Sequence, residues 1–258
     1  MQALCEIIAK MHDSSGRVTI PGFYDRVRPW GERERVYMRD AGPSDAKILA
    51  DAGTRQSWGE SEYSLYERIT IRPALTVNGI SGGYQGEGVK AVIPARASAK
   101  INIRLVADQD PQEIDCLFRA YVRRLAPSTV RVAVRTHLLA KPAVLDRRLR
   151  AIRAAAEAYR RGFRVALTFL RSGGTIPIVN MLQEQLGIPT VLMGFALPDD
   201  RLHGPNEKMH LPTFFKGIAT SISFLEEIAR GKSSERAQHK RPPIFVQAKA
   251  RQQQAIRP

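Results

Sequence analysis

Residues Val165–Pro212 read VALTFLRSGGTIPIVNMLQEQLGIPTVLMGFALPDDRLHGPNEKMHLP, and the order of elements in this stretch decides the fold class. Val165 to Leu170 is a short apolar run, which predicts a strand. Arg171, Ser172, Gly173, Gly174 and Thr175 follow as a glycine turn. Ile176, Ile178, Val179, Met181 and Leu182 then supply the apolar face of a helix. A second apolar run, Pro189 to Phe195, predicts a strand that ends in a polar loop carrying Asp199, Asp200, His203, Asn206 and Glu207. Strand, turn, helix, strand is the layout of a parallel βαβ unit. The chain is therefore expected to be α/β. Ligands of open α/β sheets collect beyond the carboxyl ends of the strands, and both the glycine turn and the His203 loop lie at such ends.

On either side of this stretch the chain reads as further alternating elements. Residues 1 to 11 predict a helix with Ala3, Leu4, Ile7, Ile8 and Met11 on one stripe, ended by His12, Asp13, Ser14, Ser15 and Gly16. Adjacent His12 and Asp13 fit a helix-end turn better than a metal site, because neighbouring side chains there diverge. A second helix spans residues 44 to 52, capped by Ser44. Trp58 to Tyr66 reads as irregular, and Ile69 to Gly79 as a strand interrupted at Pro73. Gly79 to Gly88 is too glycine-rich for a core element and lacks the Lys-Ser/Thr ending of a phosphate loop. Ala97 to Val106 alternates cleanly: Ile101, Ile103 and Leu105 point one way, Lys100, Asn102 and Arg104 the other. Asp110 as N-cap and Pro111 at the first helical position open a helix with Ile114, Leu117, Phe118, Val122 and Leu125 on its buried stripe. Thr129 to Val134 predicts another strand, with Val130, Val132 and Val134 inward.

After Pro142 a long helix carries Leu145, Leu149, Ile152, Ala156 and Tyr159. A last helix, Leu211 to Ala229, closes the fold through Phe215, Ile218, Ile222 and Leu225. The remainder is polar, basic and aperiodic, and reads as a disordered tail. These boundaries give a two-layer α/β module over residues 1–139, a second α/β portion over 140–229 and a basic tail over 230–258.

Composition limits the function classes. No apolar run reaches the ~18 residues of a membrane span, and MQALCEIIAKM lacks the basic leader of a signal peptide. A cytoplasmic location is the expectation. Cys5 and Cys116 lie far apart, which argues against a disulfide or cysteine metal site and for buried free thiols. The net charge of +15 raises nucleic-acid binding. No zinc-finger spacing, RNA-binding aromatic motif or basic zipper accompanies it, so a solvated basic surface is the favoured reading.

The residues offer some chemistry. Gly173 and Gly174 let the backbone approach a ligand, and the following helix presents free N–H groups to an anion. Arg171 adds a charge and Thr175 a hydroxyl. A carboxylate suits that turn; an ordinary tight strand-to-helix turn fits it equally well. Arg104, with Lys100 and Asn102, makes a basic strand face able to clamp a carboxylate in bidentate fashion if another surface closes over it. A catalytic zinc needs about three protein ligands, and no His-x-Asp, His-Glu-x-x-His or strand-end acidic pair accompanies His203.

RSGGTIP and GFALPDDRLHGPNE resemble the C-terminal half of the dinuclear zinc peptidases of the M20 family, which include carnosinases, cytosolic non-specific dipeptidases, aminoacylases and acetylornithine deacetylases. GRVTIPGFYDRV, TVNGISGGYQGEGVKAVIPARASAKINIRLVADQDPQEI and KMHLP are similar to its dipeptidase branch. The resemblance runs over residues 1 to 229.

It implies a two-layer lid that also dimerises, over residues 1–139, followed by the last part of a mainly parallel-sheet catalytic domain. It implies that His203 is the final metal-ligand histidine of a two-zinc site. Arg104, Arg171, Gly173, Gly174 and Thr175 would meet the substrate, Arg104 through its carboxylate. The family's general-base glutamate, its other metal ligands and the lid's first strand and histidine have no counterpart here. Ala91 stands where the dipeptidase branch usually has threonine.

The expected activity is metal-dependent hydrolysis of amide bonds in dipeptides or N-acyl amino acids, by a homodimer completed with a missing N-terminal catalytic segment. The alternative is a non-catalytic dimerisation or interaction fragment. Zinc content and light scattering distinguish the two.

Overall fold

The computed structural model describes residues 1–173, 176–230 and 247–250; of residue 177 and of 247–250 the backbone alone is described. In chain order the helices are α1 (Gln2–Ala9), α2 (Glu32–Ala41), α3 (Asp45–Asp51), α4 (Leu65–Thr70), α5 (Pro111–Leu125), α6 (Arg150–Phe163), α7 (Pro177–Leu186) and α8 (Leu211–Arg230). The strands are β1 (Ala74–Gly82), β2 (Ala97–Arg104), β3 (Leu167–Leu170) and β4 (Gln247–Ala250). They fall into two compact units. The first comprises Met1–Arg39, Pro43–Pro142 and Gly173–Pro177; the second comprises Asp40–Gly42, Ala143–Ser172 and Ile178–Pro258.

The first unit is built on two helices against a two-stranded antiparallel sheet. β1 pairs with β2 from Ala74↔Arg104 to Gly82↔Ala97, with an irregularity between Val77 and Gly79. Alternation along β2 sends Ile101 and Ile103 into the core beside Leu75, while Lys100 and Arg104 stay exposed. Ile7 and Met11 from the α1 region, and Ile114, Phe118, Tyr121 and Val122 of α5, cover that apolar face. α5 starts where its sequence dictates. The Asp110 carboxylate accepts from the N–H groups of Gln112 and Glu113 at 2.9 and 3.0 Å, and Pro111 occupies the first turn. The Tyr121 hydroxyl ties α5 back to Lys10 O and Thr19 Oγ1, at 2.9 and 2.8 Å.

Several expectations for this unit are corrected. Residues 129–134 form no strand among the described residues, and Val130 and Val132 are exposed. Their alternation is that of any extended chain, and Arg119 captures the Val134 carbonyl at 2.7 Å. α2 lies where no helix was expected: ERERVYMRDA buries Met38 alone, so it shows little apolar periodicity. α4 takes part of the stretch read as irregular or strand. Its start is a capping box, with Ser64 and Glu67 exchanging side-chain and backbone hydrogen bonds. Cys5 and Cys116 are free, and both are exposed rather than buried. They sit off the stripes defined by Ile7 on α1 and by Ile114 and Phe118 on α5.

Carboxylate–arginine pairs hold the loops of this unit. Arg28 holds the Asp108 carboxyl below its usual range against the effect of burial. Burial opposes the ionisation of Glu67 and Asp115. Arg35 and the Ser64 N–H outweigh it at Glu67, and Thr136 and Arg119 outweigh it at Asp115, so both titrate low. Depressed native pKa values add stability above the ordinary carboxylate range, and that stability is lost as pH falls through the depressed values. The first unit is therefore expected to lose stability progressively below about pH 4. Trp30 and Trp58, the chain's two tryptophans, both lie in it, so fluorescence-detected unfolding at stepped pH reads this unit. A flat midpoint down to about pH 3 would show that the three pairs contribute nothing.

In the second unit α6 packs along α8. Thr213, Gly217 and Thr220 form the buried face of α8. Gly162 of α6 lies against Thr220, where a Cβ would overlap the threonine Oγ1, and Gly217 lies against the Phe195 ring. Arg161 bridges to Glu227 at 2.8 Å. Tyr159, Phe163 and Phe195 stack in a small aromatic cluster, and the Tyr159 hydroxyl donates to Gly194 O at 2.8 Å.

The βαβ reading is corrected here. Residues 189–195 do not form a strand among the described residues. β3 pairs instead, antiparallel, with β4 from Leu167↔Ala250 to Leu170↔Gln247. β4 lies inside the stretch read as a disordered tail; the rest of that tail, residues 231–246 and 251–258, lies outside the described residues. The inward face expected for α8 is also reversed. Phe215, Ile218, Ile222 and Leu225 are exposed, and the small residues face α6.

Candidate functional site

The His203 loop is fastened at its base by one carboxylate. Asp200 is buried, and its Oδ2 accepts from the Leu197 N–H at 2.6 Å. The Asp200 N–H donates to Leu197 O, and the Lys208 N–H donates to Asp200 O, at 3.2 and 3.1 Å. Asp200 thus pins both arms of the loop. Asp199 is spent on Lys208, whose ammonium lies 2.6 Å away and holds the Asp199 carboxyl below its usual range.

Between these anchors the backbone is forced into an uncommon conformation. Arg201, His203 and Asn206 all have left-handed φ, at 54°, 64° and 58°. Non-glycine residues avoid that region, at a cost of ~1–3 kcal/mol each, and such residues cluster at binding and catalytic sites. The loop turns through Gly204 N–H to Arg201 O at 2.8 Å and presents the His203 imidazole to solvent. Asp200 and Asn206 were named from the sequence only as polar residues of this loop, and Arg201 was not singled out. The run DDRLHGPN, dense in residues that tolerate turns, was the available signal.

The glycine turn is described as far as Gly173; Gly174 and Thr175 lie outside the described residues. Arg171 is half-buried, and it and Ser172 have interaction partners already. Gly173 packs so closely on the Ile69 carbonyl that a Cβ would overlap the oxygen. That contact is a packing reason for glycine at 173, independent of any ligand.

Arg104, at the end of β2, is exposed, and no ion pair engages it among the described residues. It belongs to the first unit and His203 to the second.

These residues do not fit a metal site by themselves. Among the described residues no group of three or more His, Cys, Asp or Glu side chains is placed to hold one ion. His203 offers one exposed nitrogen donor set, Asp199 is paired with Lys208, and Asp200 is folded into the loop base. The second unit offers a turn presenting one imidazole, and the first a strand end whose guanidinium has no ion pair among the described residues.

Residues 1–130 match the model of the M20 peptidase dimerisation domain. The chain belongs to the M20 peptidase family. Over 230 residues this M20 chain is 28% identical to a Cys-Gly metallodipeptidase of Candida albicans, covering 87% of itself and 47% of the relative. It superposes on human carnosine dipeptidase 1 with a TM-score of 0.78 and 25% identity, over 89% of this chain and 50% of that one. A metallo-carboxypeptidase of Sulfolobus solfataricus gives a TM-score of 0.76 and 26% identity, over 87% and 51%. The chain thus spans about half the length of the curated relatives it matches. Among the described residues, no helix is long and apolar enough to cross a membrane.

Proposed function

We propose that this chain takes part in metal-dependent hydrolysis of amide bonds in dipeptides or N-acyl amino acids, within an active site completed by residues outside it. The observation that carries the reading is the Asp200-fastened turn, which spends left-handed backbone to present His203, in an M20 chain whose relatives include named metallodipeptidases. On this reading His203 supplies one ligand to a pair of zinc ions, and the remaining ligands and the general base come from the part of the fold the chain does not span. The metal, when bound, supplies Lewis acidity and an activated water.

This chain's own residues bind and orient. Arg104 takes the substrate carboxylate, with its planar fork suited to two parallel hydrogen bonds. Arg171, Gly173, Gly174 and Thr175 would be further substrate contacts. Residues 1–139 act as a lid and pair two copies, residues 140–229 belong to the catalytic domain, and the assembly works in the cytoplasm.

A second reading has its own support: the matched family model is a dimerisation domain. The chain would then associate without catalysing. Co-expression with the unmatched half of the Candida albicans relative separates the two. Hydrolysis of Cys-Gly or a related dipeptide that depends on added divalent metal is the expected result. A complex that forms yet hydrolyses nothing with zinc, manganese or cobalt would leave association as the function.

A further inference from the structure

Strand β3 lies in a segment that invites pairing with other chains. Val165–Leu170 reads VALTFL, which is uncharged, rich in strand formers and free of proline and glycine. Segments of that composition stack edge to edge with identical copies when their edges are open. Arg164 and Arg171 stand at its two ends, where charges limit such stacking. They flank the segment without interrupting it, so the edge itself has to be covered.

The cover is a piece of the same chain. β4 runs antiparallel to β3 along its whole length, from Leu167↔Ala250 to Leu170↔Gln247. Leu167 and Phe169, two apart on β3, share a face. Leu167 packs against Tyr159 and Phe163, and Phe169 against Leu145 and Ile152. α6 packs on β4 as well as on β3, so both strands lie in one layer under that helix.

β4 is poorly suited to hold that place by its own composition. Two alanines and a lysine make up most of Gln247–Ala250, and both residue types are depleted in strands. Main-chain hydrogen bonds therefore carry the pairing, which makes β4 exchangeable. Covalent attachment compensates, because a segment of the same chain acts at an effective concentration of the order of millimolar. A second copy in dilute solution is far below that. On its outer side β4 is short and carries Lys249, two features that stop further strands from adding.

We infer that β4 is a releasable strap that closes the β3 edge against the β3 edge of a second copy of this chain. A second copy fits the edge. Two β3 strands pair antiparallel about a two-fold axis, in the direction that β4 takes, with Leu167 facing Leu170 and Thr168 facing Phe169. The contact is separate from the self-association of the family model, which covers residues 1–130, a stretch without β3.

The test uses the full chain. Successive N–H groups of a strand point to opposite sides, so Ala248→Pro/Lys249→Pro removes a donor to β3 whichever of the two residues supplies it. Circular dichroism checks that helix content is unchanged. In this variant, amide exchange within Leu167–Leu170 is expected to accelerate at least about tenfold. Sedimentation at tens of micromolar should show species larger than those of the unaltered chain. A peptide of residues 244–253, IFVQAKARQQ, added in trans should return the variant to the unaltered size. Adding Thr168→Lys, which puts a charge inside the apolar segment, should do the same. Ala248→Val alone, a better strand former, should slow the exchange. Unchanged exchange in the proline variant overturns the inference, because β4 then guards nothing. Faster exchange without larger species overturns it as well, as does association that survives the peptide or Thr168→Lys. None of these readouts involves hydrolysis, so the inference and the proposed function fail separately.

Discussion

Replacing Arg72 with alanine is expected to destabilise the first unit by about 3–5 kcal/mol, a large part of the ~5–15 kcal/mol that holds a typical domain folded. Glu60 is buried and Arg72 nearly so, with side-chain exposures of 7% and 10%. Their two hydrogen bonds are parallel and equal, Nε to Oε2 and Nη2 to Oε1 at 2.7 Å. Burial opposes the charge on Arg72, but the Glu60 carboxylate outweighs it and keeps the guanidinium firmly protonated. The rings of Tyr24 and Tyr63 lie 4.7 and 4.5 Å from the guanidinium carbon, which adds a cation–π contribution at each.

Removing the guanidinium strands a buried carboxylate whose other cation, Arg17 at 3.1 Å, is 39% exposed. Arg17 offsets part of the loss, so the lower end of the range is the expected value. Arg72→Lys should recover little, because an ammonium cannot make both bonds or lie flat between two rings. The double variant Arg72→Met/Glu60→Leu should recover most of the stability, since replacing a whole buried pair with apolar groups is often neutral. Urea unfolding followed through Trp30 and Trp58 measures all three. A loss below about 1 kcal/mol for Arg72→Ala would show that the pair is a surface ion pair in its energetics.

The parts of this fold that were legible are those whose sequence signals are local. Asp110 and Pro111 announce α5 because a cap and a preset φ act within one turn. The alternation of β2 is legible because its two faces meet different surroundings. α2 was not legible, because its ten residues carry charge nearly all round and bury only Met38. α4 was hidden differently: its Ser64–Glu67 capping box is a readable signature, overridden by the β-rich residues that follow.

β4 has no local signal at all. Gln247–Ala250 becomes a strand only through β3, some eighty residues away in sequence. The helical period of α8 was legible, but not which side is covered, since periodicity records amphipathicity and not the location of the covering layer. For the same reason the site could be read only in pieces. Spacing within the chain could single out His203 as a loop imidazole, but the ligand role proposed for it needs partner groups that are not gathered around it among the described residues.

The ligand role proposed for His203 gives the second large expectation. In a reconstituted complex that hydrolyses dipeptide, His203→Ala should lower kcat/KM by more than about 100-fold and reduce the metal retained after dialysis. Losing a residue that merely supports a metal ligand costs ~10–100-fold, so losing the ligand itself should cost more. The imidazole is exposed and no hydrogen bond to its ring is found among the described residues, so the fold of the isolated chain should be unaffected. Arg104→Ala makes the contrasting variant. Its guanidinium is equally exposed, but the role proposed for it is to hold the substrate carboxylate in ground and transition states alike. The expected effect is a rise in KM of about 10–100-fold, from a lost charge-assisted pair of ~1.5–3 kcal/mol, with kcat nearly unchanged. Metal content separates the roles further, since it should fall for His203→Ala and stay full for Arg104→Ala. If His203→Ala retains both its metal and its turnover, the strained turn at Asp200–Asn206 serves something other than a metal centre.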